Sequence, residues 1–138
     1  MVELNDIYSE IILDLYKNPM NFGSLDKPDL HLAGGNPLCG DEVAFDVRFE
    51  AGKVAEIRFN GHGCAISRAA ESLVTELVKG KTPAEIVQLT PENLFEVLGK
   101  IIETRIKCAL LGLHVLKQGM QAYSHDPQRT RELTGIKI

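Results

Sequence analysis

Four side chains carry the chemistry legible in this sequence. Cys39 and Asp41 stand two residues apart in Asn36-Pro37-Leu38-Cys39-Gly40-Asp41, and the remaining two of the three cysteines, Cys64 and Cys108, lie further along the chain. A soft thiolate beside a hard carboxylate, with two further thiols to draw on, is a mixed donor set suited to zinc or to an iron-sulfur cluster. Cys64 follows Gly61-His62-Gly63 and directly precedes a helical pattern. At a helix N-terminus, unpaired N–H groups and the helix dipole favour the thiolate, the form that binds metal and attacks sulfur.

Each residue also has a plainer explanation. A free cysteine is commonly a small buried hydrophobe, and Cys108 taken alone reads that way. Cys39 and Cys64 lie in glycine-rich turns at element ends, where a site is the better account. Asp41 alone would be a turn residue capping local N–H groups; its place beside Cys39 makes it a ligand candidate. His62 is a reserve ligand or a solvated turn residue, and His31, His114 and His125 show no ligand spacing. A cysteine hydrolase would need a base for its thiol, and Cys64 with His62 is the only local pair. A phosphate cradle would need a lysine near Gly61-His62-Gly63, and the first basic residue after it is Arg68.

The 138 residues suit one domain, 1–138, with enough chain to bury a core unaided. A formal charge of -4 without a basic block argues against nucleic acid as a partner. The N-terminus lacks a secretory pattern and no apolar run is long enough for a bilayer, so a cytoplasmic protein is expected. In a reducing compartment an odd number of cysteines points to metal ligands, catalytic thiols or core residues rather than disulfides.

The elements that must position the site follow from periodicity. Leu4, Ile7, Tyr8, Ile11, Ile12 and Leu15 predict an amphipathic helix over roughly 4–17, stopped by Asn18-Pro19. Residues 18–38 show no sustained period and read as one long loop. Val43, Phe45, Val47 and Phe49, then Ala55, Ile57 and Phe59, predict a hairpin turning at Ala51-Gly52. If strand parity runs back unbroken, Cys39 and Asp41 share the face of Val43 and Phe45. Ile66, Ala69, Ala70, Leu73 and Leu77 mark a helix ending near Gly80, and Thr82-Pro83-Ala84-Glu85 and Thr90-Pro91 start two short helices. A long element over about 94–122, with Gly99 as a break, carries the core stripe Ile102, Ile106, Ala109, Leu113, Leu116 and Met120. Cys108 falls on its flank, level with Ile101, Gly112 and Val115. The polar tail from Tyr123 to Ile138, interrupted by Pro127, reads at most as a short helix and carries little functional signal. Helices on one face of a small antiparallel sheet, an α+β fold, is the expected architecture.

Asn36-Pro37-Leu38-Cys39-Gly40-Asp41, Gly61-His62-Gly63-Cys64-Ala65-Ile66-Ser67 and Arg105-Ile106-Lys107-Cys108-Ala109-Leu110 resemble the three cysteine motifs of the U-type iron-sulfur cluster assembly scaffolds, the IscU, SufU and NifU N-terminal family. They occur in order, separated by 64 - 39 = 25 and 108 - 64 = 44 residues. The resemblance implies a small antiparallel sheet covered by helices, with Cys39, Asp41, Cys64 and Cys108 as ligands of a transient [2Fe-2S] cluster or of zinc. It implies partners too: a cysteine desulfurase that supplies sulfur and apo-proteins that receive the cluster. Cys39, which follows a long Gly- and Pro-containing loop where Cys108 is set in a helix, is the expected persulfide acceptor. IscU-type members carry a histidine where this chain has Lys107, and a Leu-Pro-Pro-Val-Lys chaperone motif where it has Lys100-Ile101-Ile102-Glu103-Thr104-Arg105-Ile106-Lys107, so recognition by that branch's Hsp70 partner does not carry over. SufU-type members share the arginine and the non-histidine residue near the third cysteine, but they have an insertion for which the 44-residue spacing leaves no room. A non-enzymatic scaffold is the expected role, with a zinc-bearing sulfur relay as the alternative.

Overall fold

The computed structural model of the chain describes residues 10–101, 103–128 and 130–137. In order, the elements are α1 (Glu10–Lys17), β1 (Leu30–Gly35), β2 (Glu42–Glu50), β3 (Lys53–His62), α2 (Ala65–Val78), α3 (Pro83–Val87), α4 (Pro91–Leu98), a 3-10 turn (Glu103–Arg105), α5 (Ile106–His125) and β4 (Glu132–Lys137). The strands form one sheet in the order β3-β2-β1-β4. Among the described residues, no helix is long and apolar enough to cross a membrane.

The predicted hairpin forms. Ala51 and Gly52 both take left-handed φ, 53° and 78°, the backbone of a turn whose twist matches that of the paired strands. Phe45 faces Phe59 and Val47 faces Ile57 across the pair, and all four are buried against the helices. The register shifts between Arg48 and Phe49. That bulge puts Val54 into the core at 3% exposure, where simple alternation would have placed Ala55.

Two strands lie where the sequence predicts none. The expected loop over 18–38 contains β1, antiparallel to β2, with Leu30 and Leu32 fully buried opposite Val47 and Phe45. Its alternation lasts only as far as Leu32 before Ala33-Gly34-Gly35, too short a pattern to stand out. The tail supplies β4, which pairs parallel to β1 at the sheet edge and buries one side chain, Ile136. The sheet is therefore mixed rather than wholly antiparallel. The α+β class and the helical layer on one face are as expected.

The helix predicted over 4–17 is seen as α1, and residues 4–9 lie outside the described residues. Helix α3 starts with the predicted capping box, in which the Glu85 N–H donates to Thr82 Oγ1 and the Thr82 N–H to Glu85 Oε1. The element expected over 94–122 is two helices. Gly99 ends α4 with φ 83°, its N–H donating to the Phe95 carbonyl over 2.8 Å, and α5 starts only at Ile106; Ile102 of the predicted stripe lies outside the described residues. Because α5 packs on α2, α3 and β1, it buries its flank, Cys108, Leu111 and Val115, as well as the stripe from Ala109 to Met120.

Candidate metal and cluster site

Three segments converge on one end of the sheet. The first is the turn leaving β1, organised by the buried Asn36. Its Oδ1 accepts the Leu38 N–H over 3.0 Å, its carbonyl accepts the Gly40 N–H, and its own N–H donates to the Asp41 carbonyl. Side-chain capping of this kind replaces the ladder bonds that a strand would make. Gly40 has φ 78°, a conformation natural only to glycine. It separates an exposed Cys39 from an Asp41 that is 7% exposed. Unbroken strand parity through Cys39 and Asp41 does not occur, because β2 starts at Glu42 beyond this left-handed residue.

The second segment is the start of α2. Cys64 is its N-cap residue, with extended backbone, and its carbonyl accepts the Arg68 N–H and the Ser67 hydroxyl. A Cβ on the preceding Gly63 would lie 2.9 Å from Asp41 Cγ, so only glycine lets the carboxylate sit against this turn. The third segment is the first turn of α5, which holds Cys108 at 4% exposure between α5 and its neighbours.

These segments bring the four predicted side chains together. Cys39 Sγ and Cys108 Sγ are 3.8 Å apart, and Cys64 Sγ is 3.8 Å from Asp41 Oδ2. Cys39, Asp41 and Cys108 offer donor atoms all within 4.8 Å of one another. A tetrahedral metal with bonds of about 2.3 Å to sulfur separates its sulfur ligands by about 3.8 Å, which the Cys39–Cys108 pair already matches; Cys64 lies beyond that three-residue group, on the far side of Asp41. Burial pushes the Cys108 thiol up to about 12, helped by the nearby Cys64 charge, the hydrogen bond with Cys39 and the charge of Asp41. Cys108 is thus a protonated thiol until a metal displaces its proton.

The reserve ligand stays apart. His62 is largely exposed, with Nε2 3.4 Å from Glu42 Oε2. His31 Nδ1 is 2.6 Å from Asp46 Oδ1 on the sheet, and His114 is paired with Gln118. Leu38, beside Cys39, is 86% exposed. A groove of about 580 Å³ reaches Asn36 and Asp41 past Ala33, Ala44 and Asn60, but none of the three sulfurs lines it.

Sequence reasoning missed Glu71. It is 4% exposed on α2, and burial, reinforced by the charges of Asp41 and Cys64 and opposed by Arg68, raises its carboxyl from 4.5 to about 9. Among the described residues, its Oε2 is buried without a hydrogen-bond partner. The signal was present: a single carboxylate inside the otherwise small and apolar run Ile66, Ala69, Ala70, Leu73, seven residues after Cys64.

The family described as "NifU-like N terminal domain" matches residues 7–130. The iron-sulfur cluster assembly scaffold protein IscU of Aquifex aeolicus is 34% identical over 131 residues, covering 94% of this chain and 83% of that protein. The IscU scaffold protein of Escherichia coli K12 is 33% identical over 120 residues, covering 84% and 93%. The crystal structure of FiSufU from Fervidobacterium islandicum AW-1, a protein of the SUF system, superimposes with a TM-score of 0.69 at 33% identity, covering 84% of this chain and 98% of that one. Motif order, fold and similarity over most of the chain agree: the chain belongs to the U-type scaffold family defined by the NifU-like N-terminal domain.

Proposed function

We propose that this protein is a scaffold on which an iron-sulfur cluster is built and from which it is passed on, with Cys39, Asp41, Cys64 and Cys108 as the ligands of a [2Fe-2S] cargo. The observation that carries this is the convergence of Cys39, Asp41 and Cys108 within 4.8 Å of one another, with Cys64 Sγ 3.8 Å from the Asp41 carboxylate, from three separate segments. Relatives named as IscU scaffold proteins support it. Replacing each cysteine in turn by serine is expected to cut metal content sharply, read by elemental analysis after purification without oxygen. Full metal in Cys108→Ser would return that residue to the core. Chelation should leave the fold standing, because the core is large enough to hold without metal; a chelator that unfolds the protein would make the site a structural one.

Sulfur would come from a cysteine desulfurase. The Cys39 thiolate attacks the outer sulfur of the donor's persulfide, the donor's S–S bond breaks, its cysteine leaves as thiolate, and Cys39 carries the persulfide. Two electrons from an external reductant would then release sulfide for the cluster. Cys39 suits this step because access governs such attack, and it is the exposed cysteine of the three. After incubation with desulfurase and cysteine, mass spectrometry is expected to find added sulfur on the peptide holding Cys39. Sulfur confined to the Cys108 peptide would overturn the assignment.

The same thiol and carboxylate donors suit one zinc ion, so a zinc-bearing sulfur relay is the second reading. The visible spectrum of the protein reconstituted with ferrous iron, desulfurase and cysteine separates the two. A scaffold develops cluster absorption, whereas a relay keeps its zinc and gains only persulfide.

A further inference from the structure

Glu71 is a buried titratable group beside the site to which the ligand set above gives no task. It follows Cys64 by seven residues on α2, two turns on and so on the same face, and helical side chains lean toward the N-terminus. Its carboxyl is therefore aimed back toward Cys64 and Asp41. The opposite wall is α5, where a Cβ on Gly112 would come within 3.0 Å of Glu71 Cγ; Gly112 lies one turn beyond Cys108. Any side chain there would push Glu71 away. Glu71 thus lies between the two helices that carry Cys64 and Cys108, beside the Cys39–Asp41–Cys108 group but outside it. The nearest cation on its own helix, Arg68, stacks over the Phe22 ring, 4.5 Å from its centroid. An oxygen 4%-exposed side chains rarely leave unpaired, Oε2, is buried here without a partner among the described residues. A buried carboxyl lacking protein partners either keeps its proton or gives it up to a paired cation or a metal.

We propose that Glu71 is a fifth metal ligand, which together with Asp41 gives the site a hard, two-carboxylate side able to hold a divalent ion such as ferrous iron beside the thiolates. This rests on the reading of the convergence as a metal site. Oxygen donors suit harder ions and thiolates softer ones, so the two carboxylates matter most before sulfide arrives, when the cargo is the bare ferrous ion. Cadmium, a soft ion, is satisfied by the three sulfurs alone.

The test is an anaerobic titration of the full chain with Co2+ and with Cd2+ against a chromophoric chelator, for the unaltered protein, Glu71→Gln and Glu71→Ala, with melting curves to establish that each variant folds. Both variants are expected to bind Co2+ more weakly by more than the roughly 10- to 100-fold that loss of an outer-sphere partner costs. Cd2+ affinity should change little. The Co2+ d–d bands should shift and strengthen as the coordination number falls from five to four. Unchanged Co2+ affinity in the variants overturns the proposal and leaves the four-residue site intact. So does weaker affinity with an unchanged d–d spectrum, which would make Glu71 a hydrogen-bonding neighbour of a ligand. If the unaltered protein binds neither ion, the metal-site reading fails together with this one.

Discussion

Glu71→Gln is expected to make the metal-free protein more stable than the unaltered chain, by a margin that grows with pH. The Glu71 carboxyl titrates at about 9 in the folded protein and near the ordinary carboxyl value of 4.5 when unfolded. Between those values the unfolded chain has lost the proton while the folded one still holds it. Stability therefore falls as pH rises through this window, by about 1.4 kcal/mol per unit. The stability that Glu71 allows is fully present below about 4.5 and is lost progressively up to about 9. By pH 7 the variant should have gained about 3 kcal/mol on the unaltered protein, relative to their difference in acid. Urea unfolding in chelator across this range measures it, and subtracting the two proteins cancels the other titrating groups. A difference that stays flat with pH would mean that Glu71 is solvated or paired in solution. The carboxyl is thus kept at a cost to the empty protein, as groups retained for function commonly are.

Asp41→Ala is expected to trap cargo instead of emptying the site. Three thiolates hold zinc or cluster iron firmly, whereas a hard carboxylate is less well matched to iron-sulfur chemistry and easier to displace by an incoming thiol. The Asp41 carboxylate lies 3.8 Å from Cys64 Sγ and against the Gly63 turn, at the meeting point of the turn and α2. Its loss should slow transfer of a reconstituted cluster to an apo-ferredoxin by on the order of tenfold, equivalent to about 1.4 kcal/mol on the barrier. Absorption spectroscopy follows both cluster lifetime and arrival at the acceptor. If Asp41 only capped its turn, transfer would be unchanged and the penalty would be about 1 kcal/mol of stability, as for a helix N-cap.

Three residues of the candidate site, Cys39, Asp41 and Cys64, were legible because each announces itself locally. Cys39 and Asp41 are adjacent in a glycine-containing turn, and Cys64 stands between a glycine pair and a helical pattern. The hairpin was legible for the same reason, through sustained alternation and a turn of suitable composition. Less legible were features fixed by distant partners. Strand β1 is held by β2 on one side and β4 on the other, and its own sequence offers little more than Leu30 and Leu32. Strand β4 has one buried residue and depends on pairing with β1. Cys108 looked like core by itself and is in fact buried, yet its sulfur reaches Cys39 across 69 residues of sequence. Glu71 escaped notice because a glutamate in a helix is ordinarily solvent-facing, and only the packing of α5 against α2 takes water away from it.

Because the donors belong to three segments far apart in sequence, a filled site is also a reversible cross-link. It ties the exit of β1, the head of α2 and the head of α5 at a single point, and closing such long loops removes conformational freedom from the chain. The loaded protein should then open locally less often than the empty one, with amide exchange slowing around Asn36–Asp41 and the first turns of both helices. Loading would thereby be written into the stiffness of the surface around Leu38, which is itself not a ligand.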